Sequence, residues 1–288
     1  MFSSYNLAGY GVVIFMLLMA AFVAPLNGDP LTGLLAGFAY YFVVWAIMGV
    51  FMSDICHMAL AHNAVDFKPW FLNTIAILSS TFTVYVNPKT WTNRHRLHHV
   101  YSDKDGDPNK VSEDGFFKTV WLAFFPYKEI QDLTPDPIFK KWPLNIISTP
   151  YFAVFSQFAS FGLAWLIFRD WKFALVLWGS FRVLALYINL LQNYWAHEKK
   201  YGSRRYADDD NAMNLTNFLP VTLTLSACLQ NNHHHSPRLL RLSHDDSEYD
   251  FGFITIKMFT KMKIAKPTEG GLEIPSDVNL VKVGISGQ

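Results

Sequence analysis

The chain has little charge, and what it has is balanced. Only 16% of its 288 residues are Asp, Glu, Lys or Arg, and the formal net charge is +1. A soluble domain carries roughly a quarter charged residues, and a nucleic-acid binder carries a clustered basic excess. Neither description fits. Cysteine is nearly absent: Cys56 and Cys228 stand alone, which excludes a disulfide framework or a CxxC site. Both are read as small buried fillers. There is no glycine-rich dinucleotide fingerprint, and no Glu-x-x-His pair of the kind that builds soluble di-iron bundles.

What is plentiful is apolar. The chain is 51% hydrophobic and 16% aromatic, and these residues gather into long uncharged runs. Residues 7–26 and 31–52 are each long enough to cross a bilayer core of about 30 Å. Only four residues separate them, so they form a transmembrane hairpin. A signal peptide competes for the first run, but no basic residue precedes it. Residues 151–168 and 173–194 form a second hairpin, its far helix interrupted by Arg182, Asn189, Gln192 and Asn193. Polar groups inside a span face protein or a cavity.

Two further apolar stretches, 70–86 and 215–229, are placed at the interface or half inserted. Were they to cross, the histidine runs around them would end on opposite sides of the membrane. Residues 138–147 are taken as a surface-lying approach to the third span. The expected fold class is an all-α membrane protein with four transmembrane helices in a single domain. Residues 53–150 and 195–262 would form a helical cap, and 263–288 a loosely held tail. Of 24 basic residues, ten fall in 53–150 and eleven in 194–288. By the positive-inside rule the cap and both termini face the cytoplasm.

Nine of the ten histidines lie in four places: His57 and His62; His95, His98 and His99; His197; and His233, His234 and His235. Neutral imidazole is the commonest side-chain metal ligand. On an α-helix, residues i and i+4 are about 40° apart and i and i+1 about 100°. His95 and His99 therefore face one point while His98 faces another, and His233 and His234 split the same way. His57 and His62, five apart, diverge by roughly 140°, which suits ligation of two different ions. His235 is an extra or outer residue, and His244 an ordinary one. Zinc is redox-inert and takes three or four ligands; so many imidazoles suit a pair of redox metals such as iron or copper. A redox pair at a membrane face implies oxygen chemistry on a lipid-soluble substrate. A hydroxylase or other oxygenase would use the same metals, and a metal-binding protein or zinc hydrolase is the non-redox alternative.

The ordered set His57-x4-His62, His95-x2-His98-His99 and Gln230-x2-His233-His234 resembles the membrane fatty-acid desaturase family, in particular its acyl-CoA (stearoyl-CoA type) branch. The segment Trp91 to Pro108, Asn193-x3-His197 and Glu248-Tyr-Asp250 is similar to further elements of that branch, and the likeness spans roughly residues 40–260. Three positions depart from the family pattern: Gln230 stands where the third box opens with histidine, Ser226-Ala227 replaces Gly-Glu, and Gly115-Phe-Phe-Lys118 lacks a histidine. The resemblance implies oxygen-dependent insertion of a cis double bond into a long fatty acyl chain by two iron ions. It implies His57, His62, His95, His98, His99, His197, His233 and His234 as ligands, with Asn193 and Gln230 as weaker members. Trp91, Asn93 and Asp107 are expected near the substrate head group, which would be a fatty acyl thioester or lipid. An external ferredoxin or cytochrome-type donor with its reductase is expected to supply electrons. A bacterial inner membrane is expected over the endoplasmic reticulum.

Overall fold

The computed structural model describes residues 3–124 and 136–269. Four helical stretches among them are long and apolar enough to cross a membrane: Ser4–Val23, Pro30–Ala61, Pro150–Phe168 and Trp171–His197. The first comprises α1 (Ser4–Leu18) and a π-helical turn, Met19–Val23. The second begins as α2 (Pro30–Gly49). Asp29 caps it, accepting from the Leu31 and Thr32 amides, and its charge suits the positive end of the helix dipole. From Val50 to Ala61 the same rod continues as a π-helix.

Next come β1 (Val65–Phe67), α3 (Pro69–Phe82), α4 (Pro88–Tyr101) and α5 (Val111–Phe124). A short helix α6 (Leu144–Ile147) leads into α7 (Pro150–Phe168) and α8 (Trp171–Asn193). The chain ends its described part with α9 (Phe218–Leu223), α10 (Gln230–His235), α11 (Phe251–Lys261) and β2 (Ala265–Pro267).

Close approach joins the spans. A Cβ on Gly9 of α1 would stand 2.3 Å from the Tyr187 hydroxyl of α8, and that hydroxyl donates to the Tyr5 carbonyl at 2.8 Å. Between α7 and α8, the Arg182 guanidinium lies 3.5 Å from the centre of the Trp178 ring. It donates to Gln157 at 2.8 Å and Ser160 at 3.1 Å, so its polar hydrogens are met inside the bundle.

Helix α3 has 14 residues, about 21 Å of helix, too short for a hydrocarbon core of about 30 Å. Its end is nonetheless drawn inward, for Ser156 of α7 donates to the Ser80 carbonyl at 2.5 Å. The 215–229 stretch forms no spanning rod either. After α9 it turns sharply through Leu225 (φ 48°) and Ser226 (φ 69°). Backbone of this left-handed kind favours glycine, which has no Cβ to clash. Ser226 meets it with two hydrogen bonds, donating to the Tyr249 carbonyl and accepting from the Phe251 amide.

One expectation fails here. The tail does not begin at residue 263: β2 pairs antiparallel with β1 (Val65↔Pro267, Phe67↔Ala265), and Ile264 and Ala265 are buried. A three-residue strand has no periodicity of its own to read; its partner is about two hundred residues away. The remainder of the expected tail, from residue 270, lies outside the described residues.

Candidate metal centre

Eight histidines converge into two groups. In one, His57, His62, His95, His99 and His233 bring ligand nitrogens within 4.8 Å of one another; in the other, His98, His197 and His234 do the same. Helix α4 serves both. His95 and His99, one turn apart, face the first group, and His98 faces the second. Helix α10 divides His233 from His234 in the same way.

The pair His57 and His62 departs from the α-helical expectation that they diverge. Both belong to the five-histidine group, because the rod carrying them is a π-helix whose hydrogen bonds span five residues. The His62 amide donates to the His57 carbonyl at 3.1 Å. Residues five apart then lie nearly above one another. Such turns are rare and concentrate at functional sites.

Within this group the Nε2 atoms stand in contact: His57 to His233 and His62 to His95 at 2.9 Å, His233 to His99 at 2.9 Å, and His99 to His95 at 3.1 Å. A ring nitrogen offers either one hydrogen or one lone pair. Along this chain of five nitrogens, no more than two of the four contacts can be hydrogen bonds at once. A cation among the lone pairs satisfies all five. Burial, reinforced by the neighbouring imidazoles, holds His62, His95, His99 and His233 well below the usual histidine value. They are neutral, as ligation requires.

The three-histidine group is built differently. Each ring has its Nδ1 on an aspartate: His98 on Asp107 at 2.9 Å, His197 on Asp103 at 3.0 Å and His234 on Asp210 at 3.1 Å. For His98 and His197 that contact is a hydrogen bond that fixes the tautomer, leaving an Nε2 lone pair to point inward. The His234 Nδ1 hydrogen-bonds the Ser102 hydroxyl at 3.1 Å, with Asp210 beside it. The Nε2 atoms of His197 and His234 are buried and have no partner among the described residues. Burial opposes the charges of Asp103 and Asp107. Hydrogen bonds from the histidines and from backbone amides outweigh it and hold both carboxyls below their usual value. This donor set fits a metal.

A cavity of about 60 Å³ reaches both groups, touching His57, His95 and His98. Trp91 lines it and stacks on His95 (centroids 4.9 Å apart, planes 7° apart). Asn193 and Gln230 line it too. Asn193 accepts from Asn109 at 3.2 Å and donates to the Asn189 carbonyl at 3.1 Å. Gln230 donates to the Ala227 carbonyl.

Of the three expected head-group residues, Trp91 lines the cavity and the other two do not. Asp107 is committed to His98 and to the amides of Asp103 and Asn109, and Asn93 is buried on α4 away from this cavity. The supporting roles of Asp103 and Asp210 were missed at the level of sequence. The available signal was chemical: buried ligand histidines need an acceptor at Nδ1, and acidic runs follow both His99 and His197. His235 and His244 stay outside both groups. The first bonds Asp208 and stacks on Tyr206, and the second bonds the Tyr206 hydroxyl.

Four spans bearing a buried, two-part imidazole centre on one cavity define a membrane metalloprotein. The profile of the fatty acid desaturase family matches residues 31–244, and the chain belongs to that family. It is similar to the sn-1 stearoyl-lipid 9-desaturase of Anabaena variabilis, at 26% identity over 230 residues, 77% of this chain and 79% of that one. The Delta-9 desaturase-like 5 protein of Arabidopsis thaliana is 22% identical over 264 residues, 85% and 79% of the two chains. The acyl-CoA Delta(11) desaturase of Trichoplusia ni is 25% identical over 214 residues, 69% and 58%. The protein is thus a membrane fatty acyl desaturase, an oxidoreductase acting with oxygen at a metal centre.

Proposed function

We propose that the centre holds two iron ions and that the product is a cis double bond in a long-chain fatty acyl lipid or thioester. The carrying observation is the partition of eight histidines into two adjacent groups that open on one cavity. His57, His62, His95, His99 and His233 would hold one ion, and His98, His197 and His234 the other. Gln230, whose amide hydrogen is taken by Ala227, keeps its oxygen for the first ion. Asn193 has both ends of its amide engaged and acts through water. Trp91 would contact the substrate.

An unactivated methylene has no acidic hydrogen, so no side-chain base starts this reaction; the bound redox pair supplies oxygen chemistry. The chain's own residues do the rest. Asp107 and Asp103 hold the Nδ1 protons of His98 and His197, Asp210 faces the His234 ring, and the stack of Trp91 on His95 fixes a ring that both the cavity and the metal share. The buried walls keep bulk water from the reacting carbon. Electrons come from an external ferredoxin or cytochrome-type donor. The histidine face and both termini are cytoplasmic, as the placement of the basic residues supports, and the membrane is a bacterial inner membrane.

Metal analysis of protein from iron-replete cells, with lipid profiling in a desaturase-deficient host, tests this. Two irons per chain and a new double bond are expected. A hydroxylated product without unsaturation, or one zinc and no iron, overturns it.

A further inference from the structure

Helix α11 has three faces where a surface helix needs two. Gly252, Ile256 and Phe259 are buried, with Phe259 against Phe71 at 4.8 Å and Phe67 at 6.0 Å. Ile254, Met258 and Met262, spaced four apart and so on one face, are 59%, 48% and 58% exposed. Lys257 and Lys261 are exposed beside them, and Lys263 and Lys266 follow. Apolar exposure of this size recurs on the spans, as at Ile14 and Phe155 (each 55%), where lipid covers it.

The depth of α11 is fixed by separate contacts. A Cβ on Gly49 would stand 2.9 Å from the Leu225 side chain, and one on Gly252 would stand 2.6 Å from the Leu225 carbonyl oxygen. Leu225 is thus wedged between the end of α2 and the start of α11. Thr255 donates to Asp54 at 2.7 Å, one turn past that end. Helix α2 has 20 residues, about 30 Å, the thickness of a hydrocarbon core. Helix α11 therefore starts where the hydrocarbon stops.

We propose that α11 is an interfacial helix on the histidine side of the membrane. Ile254, Met258 and Met262 enter the acyl boundary of that leaflet, and Lys257, Lys261, Lys263 and Lys266 bind anionic phospholipid head groups. Amphipathic helices with lysine beside an apolar stripe occupy this depth. Each lysine contributes a factor of roughly five in affinity for anionic lipid. Through Thr255 and Asp54 the contact braces the rod that carries His57 and His62. The proposal is independent of the metal and of the substrate.

Cys56 and Cys228 are buried, so single surface cysteines can be spin-labelled in the full chain. Met258→Cys and Lys257→Cys proteins are placed in vesicles of phosphatidylcholine with phosphatidylglycerol. The label at 258 should be relaxed by oxygen more than by a water-soluble nickel chelate, and the label at 257 the reverse. Equal access of the chelate to both sites overturns the insertion; Ile254→Cys repeats the measurement should the 258 variant misfold. Spin-labelled phosphatidylglycerol should associate in preference to phosphatidylcholine, and Lys257→Gln with Lys261→Gln should erase most of that preference. An unchanged preference overturns the head-group role.

Discussion

The two histidine groups solve one problem in different ways. Among the described residues, no carboxylate hydrogen-bonds any ring of the five-histidine group, whereas each ring of the three-histidine group has its own aspartate. The first group has donors to spare and is held by packing within helices, as where Trp91 stacks on His95. The second has few ligand atoms and sets a loop aspartate against each ring, hydrogen-bonded to His98 and His197. With three ligands the loss of one tautomer matters; with five it matters less. In the proposed assignment the smaller ligand set would therefore depend more on its outer support.

The largest effect should follow removal of a nitrogen that links its neighbours. His233→Ala, whose Nε2 meets both His57 and His99, should lower activity beyond the ~100-fold typical of outer-shell loss and reduce metal per chain. Retained metal and activity would undo the first group. Next, Asp103→Asn and Asp107→Asn should each cost about 10–100-fold in metal affinity or activity, measured by chelator competition. If either leaves metal retention unchanged, the contrast between the groups is broken.

Acidification should act more gently. His62, His95, His99 and His233 are held below the histidine value of about 6.5 by burial. In the unfolded chain those rings take up protons first as the pH falls. The metal-free fold should therefore keep full stability above about pH 6.5 and lose it progressively below, as thermal unfolding at a series of pH values would record. A rise in stability on acidification would contradict the assignment. The smallest effect belongs to His235→Ala, since the ring is exposed and outside both groups. A stability change within about 0.5 kcal/mol is expected, with metal content unaltered.

Much of this was legible from residue order. Long apolar runs marked the four spans, and the spacing of His95, His98 and His99 announced that one helix would serve two points. The failures are instructive. An α-helical angle separated His57 from His62, and a widened helix joined them. Helix α11 falls within the expected helical cap, but what its cap residue also holds was not readable: Asp250 accepts from the Phe253 amide and from the Leu242 and Ser243 amides. Asp107 carried the right chemistry, but its role depended on which neighbour it met.

By itself the sequence determined the quantities that depend on near neighbours: apolar length, helical phase and the supply of imidazoles. Only the tertiary structure decided the pairings across long separations. Asp103 supports His197 from 94 residues away, and the Asn211 amide reaches the same carboxylate across 108. Local spacing is set by bond geometry and can be read in order. A contact between distant segments exists only once packing has excluded its alternatives, and no residue's identity records that choice.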